Sequence, residues 1–106
     1  MAVKKNGRIH LVRIDDVDWI ETADNYVSLH AGETEYLYRT TMAAMESRLD
    51  PARFVRIHRS TIVNVDRIVE LQPTFGRELI VLLRDGTRLR LGPPYRDRLR
   101  KLVEGL

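Results

Sequence analysis

Cysteine is absent from the 106 residues, which excludes a disulfide framework, a cysteine nucleophile and thiolate metal sites, and fits a reducing compartment such as the cytoplasm. Long apolar runs are absent as well. The longest have five residues or fewer, Ile80 to Leu83 being typical, against about 20 for a membrane-spanning helix, so no membrane insertion is expected. The opening segment, Met1 to Arg8, has basic residues with no apolar region behind them. It is therefore not a secretory signal, and reads as a short linker at 1–8 before a single domain at 9–106. Three histidines occur, but His10, His30 and His58 lack metal-ligand spacing, and neither a metal nor another cofactor is expected. Gly-rich phosphate loops, internal repeats and low-complexity tracts are also missing.

What remains is an ordinary globular composition, 43% apolar and 31% charged, in a length that suits one domain. The net charge of +3 is unevenly spread: residues 1–52 carry 6 basic and 9 acidic groups, residues 53–106 carry 12 and 6. Arginine supplies 15 of the 18 cations. Its planar guanidinium suits bidentate contact with phosphates and base edges better than an ammonium does, which points first to a nucleic-acid partner.

Alternation of apolar and polar residues is the commonest pattern and predicts a mainly β chain of about nine short strands. Ile9–Arg13, Val17–Glu21, Tyr26–His30 and Glu35–Arg39 form a meander, with turn signals at Asp15-Asp16, Ala23-Asp24-Asn25 and Ala31-Gly32-Glu33-Thr34. Trp19 and Ile20 lie in this part and read as core. Thr40 to Leu49 changes period: Met42, Met45 and Leu49 share a helical face, Thr40 or Thr41 caps its start, and Asp50-Pro51 ends it. Strands resume at Phe54–Ile57, Thr61–Val63, Arg67–Leu71, Glu78–Leu83 and Thr87–Leu91, with Asn64 as a turn residue. Asp85-Gly86 predicts a hairpin with a type I′ turn. After Gly92-Pro93-Pro94, the spacing of Tyr95, Leu99, Leu102 and Val103 predicts a terminal helix.

Phe54-Val55-Arg56-Ile57-His58-Arg59-Ser60 is the most informative stretch. Apolar and cationic side chains alternate and end in a polar corner, where loops carry recognition groups more often than strand interiors do. The plain alternative is an amphipathic strand with a solvated Arg face. Together with Trp19-Ile20-Glu21, Asn25-Tyr26-Val27, Tyr36-Leu37-Tyr38-Arg39, Val63-Asn64 and Asp85-Gly86, this stretch resembles the LytTR family of bacterial DNA-binding domains over nearly the whole chain.

That resemblance implies elongated antiparallel β-sheets with two short helices, and loops rather than a recognition helix entering the DNA grooves. It further implies a sequence-specific, duplex-binding output domain of a response regulator, acting in transcription regulation within a two-component system. Carried over by motif, Asp24-Asn25-Tyr26 and His58-Arg59-Ser60 match DNA-contacting loops, and Arg39 and Arg56 match phosphate contacts. Asn25 equally satisfies a tight turn, and Tyr26 equally reads as a core ring with its hydroxyl at the edge. The family's third contact is an arginine just before the final helix. Here Pro93 occupies that place, so the contact is expected to be lost or to pass to Arg96. The implied partners are double-stranded DNA in imperfect direct repeats, a second copy as a homodimer on that DNA, and an upstream receiver or other input domain, which 106 residues cannot also contain.

Two competing classes fit less well. His58, Ser60 and Asp66 match the residue types of a hydrolase triad, but all three lie within nine residues and no nucleophile elbow accompanies them, so no enzyme is expected. The alternative reading is a basic β-rich RNA- or protein-binding module. RNA readers usually display stacking aromatics, and seven aromatics, several in apolar positions, argue against it.

Overall fold

The computed structural model describes residues 1–76 and 78–106. Among them are ten strands: β1 (Ala2–Lys5), β2 (Arg8–Leu11), β3 (Trp19–Ala23), β4 (Tyr26–Ala31), β5 (Thr34–Tyr38), β6 (Phe54–His58), β7 (Thr61–Asn64), β8 (Ile68–Pro73), β9 (Leu79–Leu83) and β10 (Arg88–Leu91). Two helices join them, α1 (Met42–Arg48) and α2 (Arg96–Arg100). The strands pair antiparallel in sheets of two (β1-β2), three (β10-β9-β8) and five (β5-β4-β3-β7-β6). The molecule is elongated, 44 × 25 × 24 Å.

The five-stranded sheet is covered on both faces. Alternation sends Ile20, Val27, Leu29, Phe54 and Ile62 to one face, where Met42, Met45 and Leu49 of α1 and Val3 of β1 close the first core. Val55, Ile57 and Val63 point the other way and meet Val81, Leu83, Leu89 and Leu91 of the three-stranded sheet and Leu99 of α2. Strand β7 is buried at every position, as a central strand sandwiched between two layers must be. Ile20 is fully buried, whereas Trp19 is only half-buried at the margin of the second core.

Several expectations are corrected. The segment read as a linker contains β1, whose Val3 is buried. The signal for it was Asn6-Gly7: both residues take positive φ, 54° and 74°, and connect Lys5 to its partner Arg8 in the two-residue turn that such a pair favours. The β9–β10 hairpin does form, but among its loop residues only Gly86 has positive φ, and its N–H donates to the Leu83 carbonyl at 3.0 Å. That geometry belongs to a longer loop ending in a left-handed glycine, not to a type I′ turn. The terminal helix stops at Arg100, and Leu102 and Val103 pack on the second core from the turns beyond it. Thr41 is the cap of α1, its hydroxyl accepting from the Ala44 N–H at 3.1 Å.

In the β9–β10 loop the Thr87 amide, at 2.9 Å, and the Thr87 hydroxyl hold the Asp85 carboxyl below its usual range. A carboxyl with a lowered folded pKa stabilises fully above its unfolded pKa and loses that contribution as pH falls through the folded value. Acid is therefore expected to loosen this loop. Asp85→Asn, which keeps an acceptor, should abolish the pH dependence, as read from the NMR titration of the Thr87 amide.

Candidate nucleic-acid interface

One end of the five-stranded sheet gathers most of the residues singled out above. The β3–β4 turn, the start of β7 and the exit of β5 lie there because β4 and β7 both run antiparallel to β3 and β5 runs antiparallel to β4. The β3–β4 and β6–β7 turns are tied together, the Thr22 N–H donating to the Ser60 carbonyl at 3.0 Å. Asp24 takes φ 57°, a left-handed conformation that Asp tolerates better than most residues, and Asn25 and Tyr26 follow it, both exposed. Tyr26 is thus no core ring. Thr22, Asp24, Asn25, Tyr26, Arg39 and Thr41 line an open depression of roughly 560 Å³.

The β6–β7 turn is built around a bulge. Arg56 pairs with Ile62 and His58 with Thr61, so the register skips Ile57, and the Ile57 carbonyl instead accepts the Gly92 N–H at 2.8 Å. This bulge joins the two larger sheets and bends the strand just before the turn. The Ser60 N–H lies 3.3 Å from His58 Nδ1, and the Ser60 hydroxyl lies 2.9 Å from the same nitrogen. Since an amide only donates, Nδ1 accepts and the proton of the neutral ring sits on Nε2. His58 and Ser60 therefore brace the turn from within. Arg59, exposed between them, is its projecting side chain.

Arg56, expected as a phosphate contact, is also an internal tie. Its guanidinium donates to the His58 carbonyl at 3.1 Å, to the Arg59 carbonyl, and to Glu46 Oε1 at 3.3 Å, and the side chain is only 16% exposed. By contrast, among the described residues neither Arg39 nor Arg59 has an ion-pair or hydrogen-bond partner for its guanidinium. Several other cations are matched: Arg90 makes a two-pronged contact with Glu78 at 3.1 and 2.9 Å, and that hydrogen bonding holds the Glu78 carboxyl below its usual range. Arg96 is half-buried at the first residue of α2, after the exposed Pro93 and Pro94. The segment leading to it is held beside the β6–β7 turn, since a Cβ on Gly92 would lie 3.7 Å from the His58 ring.

Composition and alternation missed Glu46 and Arg98. Arg98 Nη1 lies 2.9 Å from Glu46 Oε2, but the two residues are 52 apart in the chain, and no local pattern links them.

Residues 7–104 match the family described as the LytTr DNA-binding domain. Curated relatives include a sensory transduction protein LytT of Bacillus anthracis, 30% identical over 97% of this chain and 42% of its own length. Another is a transcriptional regulatory protein LytR of Staphylococcus aureus, 33% identical over 90% of this chain and 39% of its own. The chain thus spans about two-fifths of the length of these relatives. A solved structure of a LytTr DNA-binding domain from Bacillus cereus superposes with a TM-score of 0.88 at 25% identity, covering 98% of this chain and 95% of that one. Six sequence motifs, the layered antiparallel architecture and a match over nearly all of its length agree that this chain belongs to the LytTR family of DNA-binding domains.

Proposed function

We propose that the domain reads duplex DNA with the sheet end formed by the β3–β4 and β6–β7 turns, as the output module of a bacterial transcription regulator in the cytoplasm. The observation that carries this is the pair of exposed arginines, Arg39 and Arg59, at the same end of the five-stranded sheet on either side of the β3–β4 turn, in a chain whose other arginines include several held in ion pairs. Arg59 is the base reader, positioned to meet guanine O6 and N7. Arg39, Asn25 and Tyr26 contact the backbone beside it, with His58 and Ser60 shaping the turn. Two copies on imperfect direct repeats would raise each other's effective concentration, and an upstream receiver or other input domain would control that pairing.

Arg59→Ala should cost on the order of 1–3 kcal/mol on the preferred site and relax specificity at one position, with the fold intact. Salt-controlled titrations against the preferred duplex, a random duplex and single-stranded RNA check this. Equal weakening on both duplexes would reduce Arg59 to a backbone contact, and preference for the RNA would favour an RNA-binding module.

Pro93 has no side-chain donor and no N–H, so recognition rests mainly on the two turns, with Arg96 taking over the third contact. Pro93→Arg should tighten duplex binding, and Arg96→Ala should weaken it less in that background than in the native one. A double-mutant cycle measures the coupling. Additive effects would separate the two positions.

A further inference from the structure

The Glu46 carboxylate has a place in the molecule that DNA binding by itself does not explain. It sits on α1, half-buried, and each of its oxygens is taken by an arginine from a different element: Oε1 by Arg56 of β6 at 3.3 Å, Oε2 by Arg98 of α2 at 2.9 Å. Arg98 in turn lies over the Tyr95 ring, 5.3 Å from its centroid. Arg56 reaches beyond Glu46 to the carbonyls of His58 and Arg59, the residues of the β6–β7 turn.

From this arrangement we infer that Glu46 and Arg56 are positioning residues, which set the backbone of the β6–β7 turn so that Arg59 is presented in one orientation and link that turn through Arg98 to α2. The inference rests on the reading of Arg59 as a DNA contact. A rigid planar fork reaches two carbonyls and a carboxylate together, whereas an ammonium on a flexible stem is a point charge that fixes no plane. The carboxylate orients the fork. Without it, the Arg56 guanidinium loses its charged partner on α1, and the turn carbonyls lose a donor fixed in direction.

This assignment gives a sign opposite to that of simple electrostatics. Glu46→Gln removes one negative charge from a protein facing phosphates, so charge alone would tighten binding to every duplex alike. Loss of positioning loosens only the preferred site. The expected result is that random-duplex affinity does not fall while the ratio of specific to random affinity drops about tenfold, part of the discrimination a bidentate base contact supplies. Arg56→Lys keeps the charge and serves as a second variant. It should show the same fall in ratio with an unchanged salt slope. In the free domain, NMR order parameters of the Arg59 and Ser60 amides should decrease in both variants while melting stays cooperative.

Equal tightening on both duplexes by Glu46→Gln, or unchanged order parameters together with an unchanged ratio in Arg56→Lys, would overturn the inference. If Arg59→Ala lowers the ratio and neither positioning variant does, the positioning inference alone fails. If Arg59→Ala leaves the ratio unchanged, the reading of the turn fails and this inference with it.

Discussion

Asn64→Asp is expected to destabilise the domain by roughly 3–5 kcal/mol, the range found when a buried charge is left uncompensated. Asn64 is 3% exposed. Its Nδ2 donates to the Val17 carbonyl at 3.0 Å and lies 3.4 Å from the Asp15 carbonyl, while its Oδ1 accepts the Asp66 N–H at 3.1 Å. One side chain thereby caps the turn after β7 and holds the turn before β3. A carboxylate keeps the acceptor but puts an anionic oxygen against two carbonyls, in a neighbourhood that already holds Asp15, Asp18 and Asp66 with Arg53 and Arg67 bridging them. Asn64→Ala, which only removes the bonds, should cost about 1–3 kcal/mol. The introduced carboxyl binds a proton more readily in the folded state, so the deficit should shrink in acid and grow as pH rises. Urea melts at neutral and acidic pH check this, and an Asn64→Asp variant no weaker than Asn64→Ala would show that the site is wetter than its burial implies.

Trp19→Ala should cost about 3 kcal/mol, the lower end for a large aromatic because the ring is half-exposed. The indole packs on the second core and stacks parallel to the His30 ring at 3.9 Å and 2°. His30 Nε2 in turn lies 2.9 Å from Glu21 Oε1. Truncation therefore removes apolar contact and also frees the imidazole that spans two strands. Thermal melts should shift strongly, while the folded fraction keeps its DNA affinity. A stable Trp19→Ala variant with selective loss of binding would assign the ring to the interface.

Most of the strands and their hairpins were legible because alternation and turn residues mark them, while the order β5-β4-β3-β7-β6 follows from pairings between remote strands. Helix α1 was legible from the spacing of Met42 and Met45 and from Thr41. Where expectation and structure part, the determining contacts are remote. Leu102 and Val103 continue a helical spacing, but packing on the second core from a turn serves them as well, and the helix ends early. Arg56 occupies a place that alternation reads as a basic outer face. Whether such an arginine also meets an internal carboxylate depends on α1 coming alongside β6, which no periodicity within β6 encodes. Arg59 differs because it is exposed and its guanidinium has no hydrogen-bond or ion-pair partner among the described residues. Its exposure follows from the turn itself, and the polar corner was visible in the chain.

The two cores on opposite faces of one sheet have a consequence for partial unfolding. If the three-stranded sheet lifts away, the first core remains closed by α1 and the β1-β2 hairpin. If those detach, the second core remains. Amide exchange in the native state should therefore divide into two separate openings, with β7, which both cores bury, protected until global unfolding. The Ile57–Gly92 hydrogen bond crosses between the layers, so lifting of the three-stranded sheet slackens the β6–β7 turn while most of the molecule is still folded. Bound duplex should accordingly slow exchange in β9 and β10 more than in the β1-β2 hairpin.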